Sequence, residues 1–247
     1  MTLTEAAKEQ AKRFGAHLVG VAPVERFEGA PRGHHPADLL PGAQSVVVMA
    51  IRLFQSCLDH PKISKDSDII PTEILPRVQN HFYMRTNYET VNWNLQIATH
   101  QTAHLLAEEG HEVMTCPVTY YAGGLSSCVP GYMAPFSHRH AAVAAGLATL
   151  GLNNLALTPS FGPRNRFNSL ITTAELDPDP VLEEDVCLGE SCSKCLEEWP
   201  PCFGEMYEAT VAGRTFTQAR FLGCKAGCRG GGCIRVCPVK MKITKSA

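Results

Sequence analysis

The chain has 247 residues, 45% of them hydrophobic, and a formal net charge of -2. That length suits one domain of ordinary size with a small appendage, and the composition lets it bury a core without help from a metal. A near-neutral surface offers no field for nucleic acid or an anionic membrane, so both are set aside as partners.

The N-terminal MTLTEAAKEQAKRFGAHLVGVAP starts with a cap at Thr2 or Thr4 and continues as a charged amphipathic helix. It carries neither the apolar stretch of a signal peptide nor a twin-arginine pair, so a cytoplasmic location is expected. Residues 17–22 read as a strand. Residues 45–51 read as a second strand buried on both faces, because SVVVMAI barely alternates. Val91, Leu95, Ala98, Leu105 and Leu106 recur at helical spacing and Gly110 supplies a stop, which predicts an amphipathic helix over 84–109. A strand is expected at 112–116, an alanine-rich helix at 138–150 broken at Gly151, and an alternating strand at 168–173. Together these predict a sheet with helices on its faces. No repeat, heptad or membrane-length apolar run interrupts the pattern.

Of eleven cysteines, eight fall late in the chain: Cys187, Cys192, Cys195, Cys202, Cys224, Cys228, Cys233 and Cys237. The acidic, proline-containing stretch from Asp177 to Pro180 precedes them and marks an expected boundary between a core at 1–180 and a cysteine module at 181–247. In a reducing compartment such a cluster signifies metal ligands or redox chemistry rather than disulfides. The spacings are C-x4-C-x2-C-x6-C and C-x3-C-x4-C-x3-C-P. Two-cluster ferredoxins use a C-x2-C-x2-C-x3-C-P run twice, the fourth cysteine of each run ligating the other cluster. On that crossed pattern one 4Fe-4S cluster takes Cys187, Cys192, Cys195 and Cys237, and the other takes Cys224, Cys228, Cys233 and Cys202. Gly223, Gly227 and Gly230 to Gly232 leave room for backbone to wrap a bulky cofactor. Two structural zinc sites are the alternative, but zinc knuckles show two tight C-x2-C hooks per site and only Cys192 and Cys195 form one. Pro238 after the last cysteine also favours iron-sulfur. Cys57, Cys116 and Cys128 read as small buried hydrophobes.

The run RHAAVAAGLATLGLNNLALTPSFGPRNRFNSLITTAEL followed by a double cysteine module resembles the epoxyqueuosine reductase and reductive dehalogenase superfamily. GAQSVVVMAI at residues 42–51, and Tyr88 with Asn92 and Leu95, are similar to the family's upstream landmarks. The resemblance implies an α+β, nitroreductase-like core carrying a C-terminal ferredoxin-like module with two 4Fe-4S clusters, which pass electrons from a ferredoxin or flavodoxin type donor to a cobalamin-type corrinoid. It also implies a cofactor-facing set at Arg139, Gly146, Gly151, Asn153, Asn154, Thr158, Gly162, Pro163 and Arg164. Read locally, the same residues make a helix end and a turn. Tyr120, Tyr121 and His138 are the candidate proton donors for a small organic substrate, the two tyrosines being equally readable as packing. The sequence departs from the family pattern at Leu152, where a lysine is usual. It departs again in TCPVTYYAGG, which lacks the catalytic aspartate of epoxyqueuosine reductases. The expected activity is therefore a corrinoid-linked reduction other than that of epoxyqueuosine, with tRNA not expected as a partner. A corrinoid-reactivating electron-transfer protein and a cobalamin-free electron carrier are the alternatives.

Overall fold

The computed structural model describes residues 1–59, 81–119, 121–122, 125–126, 134–198, 200–222 and 231–239. Helix α1 (Leu3–Arg13) begins at a capping box in which Thr2 and Glu5 satisfy each other's backbone N–H. Strand β1 (Leu18–Pro23) follows, then the one-turn helix α2 (Pro36–Leu39) and β2 (Ser45–Arg52). The short helix α3 (Gln55–Asp59) comes next. A π-helical turn over Tyr83–Glu89 runs directly into the long helix α4 (Thr90–Glu108), close to the expected 84–109. Strand β3 (Val113–Thr115) and a two-residue pair, β4 (Tyr121–Ala122) with β5 (Leu125–Ser126), lead to α5 (His138–Ala144). A small hairpin of β6 (Thr149–Leu150) and β7 (Ala156–Leu157) precedes β8 (Asn165–Thr172).

The main sheet has the order β1-β2-β8-β3, antiparallel throughout. Strand β2 lies in its centre and seven of its eight residues are buried, as the unbroken apolar run requires. Val47, Met49 and Ile51 face a layer made by α1 and α4. Val46, Val48 and Ala50 face the alanine-rich α5. Burying one such side chain stabilises the fold by about 1.5–3 kcal/mol, and aromatic side chains add to both faces, Tyr83 on the first and Phe27, Phe136, Phe167 and Phe216 on the second.

Helix α5 ends at Ala144, short of the expected 138–150, and residues 149–150 form a strand. The stop is Gly146 rather than Gly151. Its φ is +68°, its N–H reaches Val143 O at 3.0 Å, and the Leu147 N–H reaches Ala142 O at 2.9 Å, a Schellman ending. A Cβ at Gly146 would also collide with the Pro180 carbonyl. Position 146 is thus a helix terminator and a close-approach point for the chain segment that leads into the cysteine-rich region. That segment is tied to the sheet through Asp179, whose N–H donates to Val21 O, whose carboxylate accepts from Val21 N, and which lies 2.7 Å from Lys8 Nζ.

After residue 180 come α6 (Lys194–Glu198), the strands β9 (Phe203–Val211) and β10 (Arg214–Phe221), and α7 (Gly232–Val236). The β9–β10 hairpin was not expected from the sequence. Its inner face carries Val211 and Phe216 into the same core as α5, and the Ala219 N–H donates to Leu152 O at 2.8 Å. Helices α6 and α7 pack side by side, with Arg235 3.9 Å from Glu198.

Candidate metal centre

Cys187, Cys192, Cys195 and Cys237 line one cavity, with Leu152, Asn153 and Leu157 from the β6–β7 hairpin closing its inner side. Different elements deliver each thiol. Cys187 follows Val186, whose N–H is held by the buried Thr149 hydroxyl at 2.9 Å. Cys192 ends a 3-10 turn over Gly189–Ser191, Cys195 lies in α6, and Cys237 caps α7. Gly151 lets this wall approach: a Cβ there would stand 2.7 Å from Leu157 and 3.5 Å from Cys187 Sγ. Burial pushes the Cys195 thiol up to about 11, with Cys187 and Cys237 adding to the rise and the N–H groups of Cys195 and Leu196 opposing it. Burial raises Cys237 as well, opposed by the Val239 N–H and by Arg164. Among the described residues no three His, Cys, Asp or Glu come close enough together to hold a single ion.

The second group is only partly described. Cys202 is 3% exposed, in a turn over Pro200–Cys202 at the base of the hairpin, where its carbonyl accepts from Leu222 N at 2.9 Å. Cys233 is half-buried on α7 against the sheet core. Cys224 and Cys228 lie outside the described residues.

The family-motif residues separate into distinct places. Asn153 lines the cysteine cavity and Gly151 borders it. Asn154, at φ +61°, binds the Arg139 guanidinium through its carbonyl and its side-chain oxygen, and burial lowers the Arg139 pKa. Thr158 and Gly162 exchange backbone hydrogen bonds of 2.9 and 2.8 Å, closing a tight turn in which Pro163 is buried. Arg164 is 2% exposed and donates to Gln55 Oε1 and to the carbonyls of Val239 (2.8 Å), Cys237 (3.1 Å) and Arg235 (3.3 Å).

His138 uses both ring nitrogens, Nε2 with Pro117 O at 2.9 Å and Nδ1 with Ser169 Oγ at 3.0 Å. The carbonyl must accept, which puts the proton on Nε2. Tyr120 lies outside the described residues, and of Tyr121 only the backbone pairing with Ser126 is described. Cys116 is 5% exposed and burial pushes its thiol up to about 12, the behaviour of a core residue.

A polar group that sequence reasoning did not assemble lies beside His138. Arg166 donates to Asn92 Oδ1 at 3.0 Å and Thr119 Oγ1 at 2.9 Å and stacks over the Tyr88 ring at 4.1 Å. Tyr88 and Asn92 stood out as landmarks, but nothing local in the sequence joins them to Arg166. Next along α4, a cleft of about 340 Å³ opens between that helix and the end of β3, walled by Trp93, Ile97, Pro117 and Asn168.

No family model matches the chain, and no curated protein does. Solved structures do. The epoxyqueuosine reductase of Streptococcus thermophilus is 17% identical over 87% of this chain and 56% of its own, with a TM-score of 0.53. That of Bacillus subtilis is 19% identical over 80% and 51%, with a TM-score of 0.51. A reductive dehalogenase, a B12-dependent enzyme, is 19% identical over 87% and 27%, with a TM-score of 0.54. The fold is that of the epoxyqueuosine reductases and reductive dehalogenases. The chain spans about half the length of the former and about a quarter of the latter. Among the described residues no helix is long and apolar enough to cross a membrane.

Proposed function

We propose that the protein is a reductase-type redox protein carrying two 4Fe-4S clusters in residues 181–247 on a nitroreductase-like core, one of them bound by Cys187, Cys192, Cys195 and Cys237. The convergence of these four thiols on one cavity carries the reading. Four soft sulfurs suit iron-sulfur or zinc. A single zinc ion draws its donors into one shell at about 2.3 Å, whereas among the described residues no three such donors stand close enough to share one ion, which favours the cluster. When bound, a 4Fe-4S cluster accepts and passes on one electron at a time. The chain's part is to hold the four thiolates, to exclude water with Leu152 and Leu157, and to aim the N–H groups of Leu196 and Val239 at the sulfurs. The remaining cysteines, Cys202, Cys224, Cys228 and Cys233, belong in this proposal to the second cluster, which meets a ferredoxin or flavodoxin type donor.

Likeness to a B12-dependent dehalogenase supports a corrinoid as the electron acceptor. A cleft of about 340 Å³ does not admit a corrin ring with its side chains. The test is anaerobic purification with and without added cobalamin, followed by iron, sulfide, zinc and cobalt analysis and a visible spectrum on one sample. About eight irons per chain are expected, falling to ~4 in Cys195→Ser. Zinc in place of iron, or an unchanged iron content in that variant, overturns the reading.

A further inference from the structure

The guanidinium of Arg164 lies at the crossing of three chain segments. Its backbone immediately precedes β8 and its carbonyl accepts from Leu53 N at 2.9 Å, just past β2, while its Nε donates to Gln55 at the start of α3. Its remaining nitrogens face the C-terminal turn and bond alternate carbonyls, those of Arg235, Cys237 and Val239. The side chain is 2% exposed, and none of these four acceptors is a carboxylate. A buried cation is costly unless dipoles replace its water, and carbonyls at the end of a helix do so with their negative ends. A second contact acts on the same turn. Gly162, at φ +57°, presses so closely on Val239 that a Cβ there would collide with the Val239 carbonyl. The cation and the glycine grip the stretch on both sides of Cys237, which reaches the cavity from a different part of the chain than the other three thiols.

We propose that Arg164 and Gly162 form a latch that positions Cys237 as the fourth ligand of its cluster, Arg164 being a positioning residue rather than a cofactor contact. The inference rests on the cluster reading above. The same buried positive charge favours the reduced, more negative state of whatever cluster the thiolates hold, so it sets the reduction potential as well as the geometry. Lysine keeps the charge but offers a compact ammonium that does not span three carbonyls. The two contributions are therefore separable.

The experiment uses the full chain, loaded and kept anaerobic, with Arg164→Met, Arg164→Lys and Gly162→Ala beside the wild type. It reads iron and sulfide content, the rate of iron release to a chelator, the electron paramagnetic resonance spectrum, the midpoint potential and far-ultraviolet circular dichroism. In all three variants release of about four irons is expected to quicken by about tenfold or more, with the dichroism preserved. The midpoint potential is expected to fall in Arg164→Met and to stay near the wild-type value in Arg164→Lys. If Arg164→Met fails to fold, Gly162→Ala and Arg164→Lys decide the matter. A loaded wild type whose folded variants keep its release rate and spectrum overturns the latch and leaves the cluster assignment standing. A wild type that takes up no iron overturns both.

Discussion

His138 and His140 open α5 with half-buried rings, beside Arg166 and Arg139 respectively. Burial, helped by those cations, pushes both pKa values down to about 4. In the folded chain the neutral form is therefore preferred, while the unfolded chain titrates near 6.5. Stability is complete above pH 6.5 and falls as the pH drops towards 4, because only the unfolded chain takes up protons in that window. The expected loss is on the order of 2 kcal/mol for each histidine. Urea unfolding at pH 7.5 and pH 5 should show it, with a smaller pH dependence in His138→Gln. Equal dependence in variant and wild type would mean that the ring titrates alike in both states. The sequence offered His138 as a proton donor because imidazole titrates near neutrality. It could not show that both nitrogens are engaged inside the fold, since Pro117 and Ser169 come from other segments.

Among the elements, those with one strong local signal were legible. The helix cap, expected at Thr2 or Thr4 and found at Thr2, the apolar run of β2 and the spacing in α4 each lie within one segment. The break at the end of α5 was misplaced because alanine and leucine continue past Gly146, and only the approach of Pro180 shows why the chain must turn there. The β9–β10 hairpin was missed although its signal is present: Ala212 and Gly213, both at positive φ, form a two-residue turn between paired strands. Within this hairpin Gln218 is fully buried, and among the described residues neither polar atom of its amide has a partner. An unpaired buried amide costs about 1–3 kcal/mol. Gln218→Leu is expected to raise stability by about 1–2 kcal/mol, read as a higher urea midpoint. A loss of that size would show that the amide binds an ordered water or a ligand.

At the scale of the whole molecule, the sheet and its two apolar layers draw most of their residues from before position 180, with Cys233 and Ile234 packed on one layer and Val211 and Phe216 in the other, while the elements around Cys187 to Cys195 and Cys237 are short turns and one-turn helices. Such turns have few apolar contacts to hold them once their ligand is gone. Stripping metal under anaerobic conditions should therefore quicken amide exchange in residues 186–198 and 231–239, on the order of tenfold or more, with β1, β2 and β8 still protected. Exchange spreading into those strands would show that the core needs the metal after all.

The sequence by itself determined the mixed helix-and-sheet architecture, the centrality of β2 and the concentration of cysteines after residue 180, because periodicity, apolar runs and composition are properties of neighbouring residues. It also offered a crossed grouping of the thiols by analogy with ferredoxin spacing. Only the tertiary structure brought Cys237 to the cavity of Cys187, Cys192 and Cys195, turned Arg164 onto the backbone that carries Cys237, and joined Arg166 to Tyr88 and Asn92. Those contacts link residues far apart in the chain, and their geometry follows from how the sheet, α4 and the C-terminal turns pack, which no local pattern encodes.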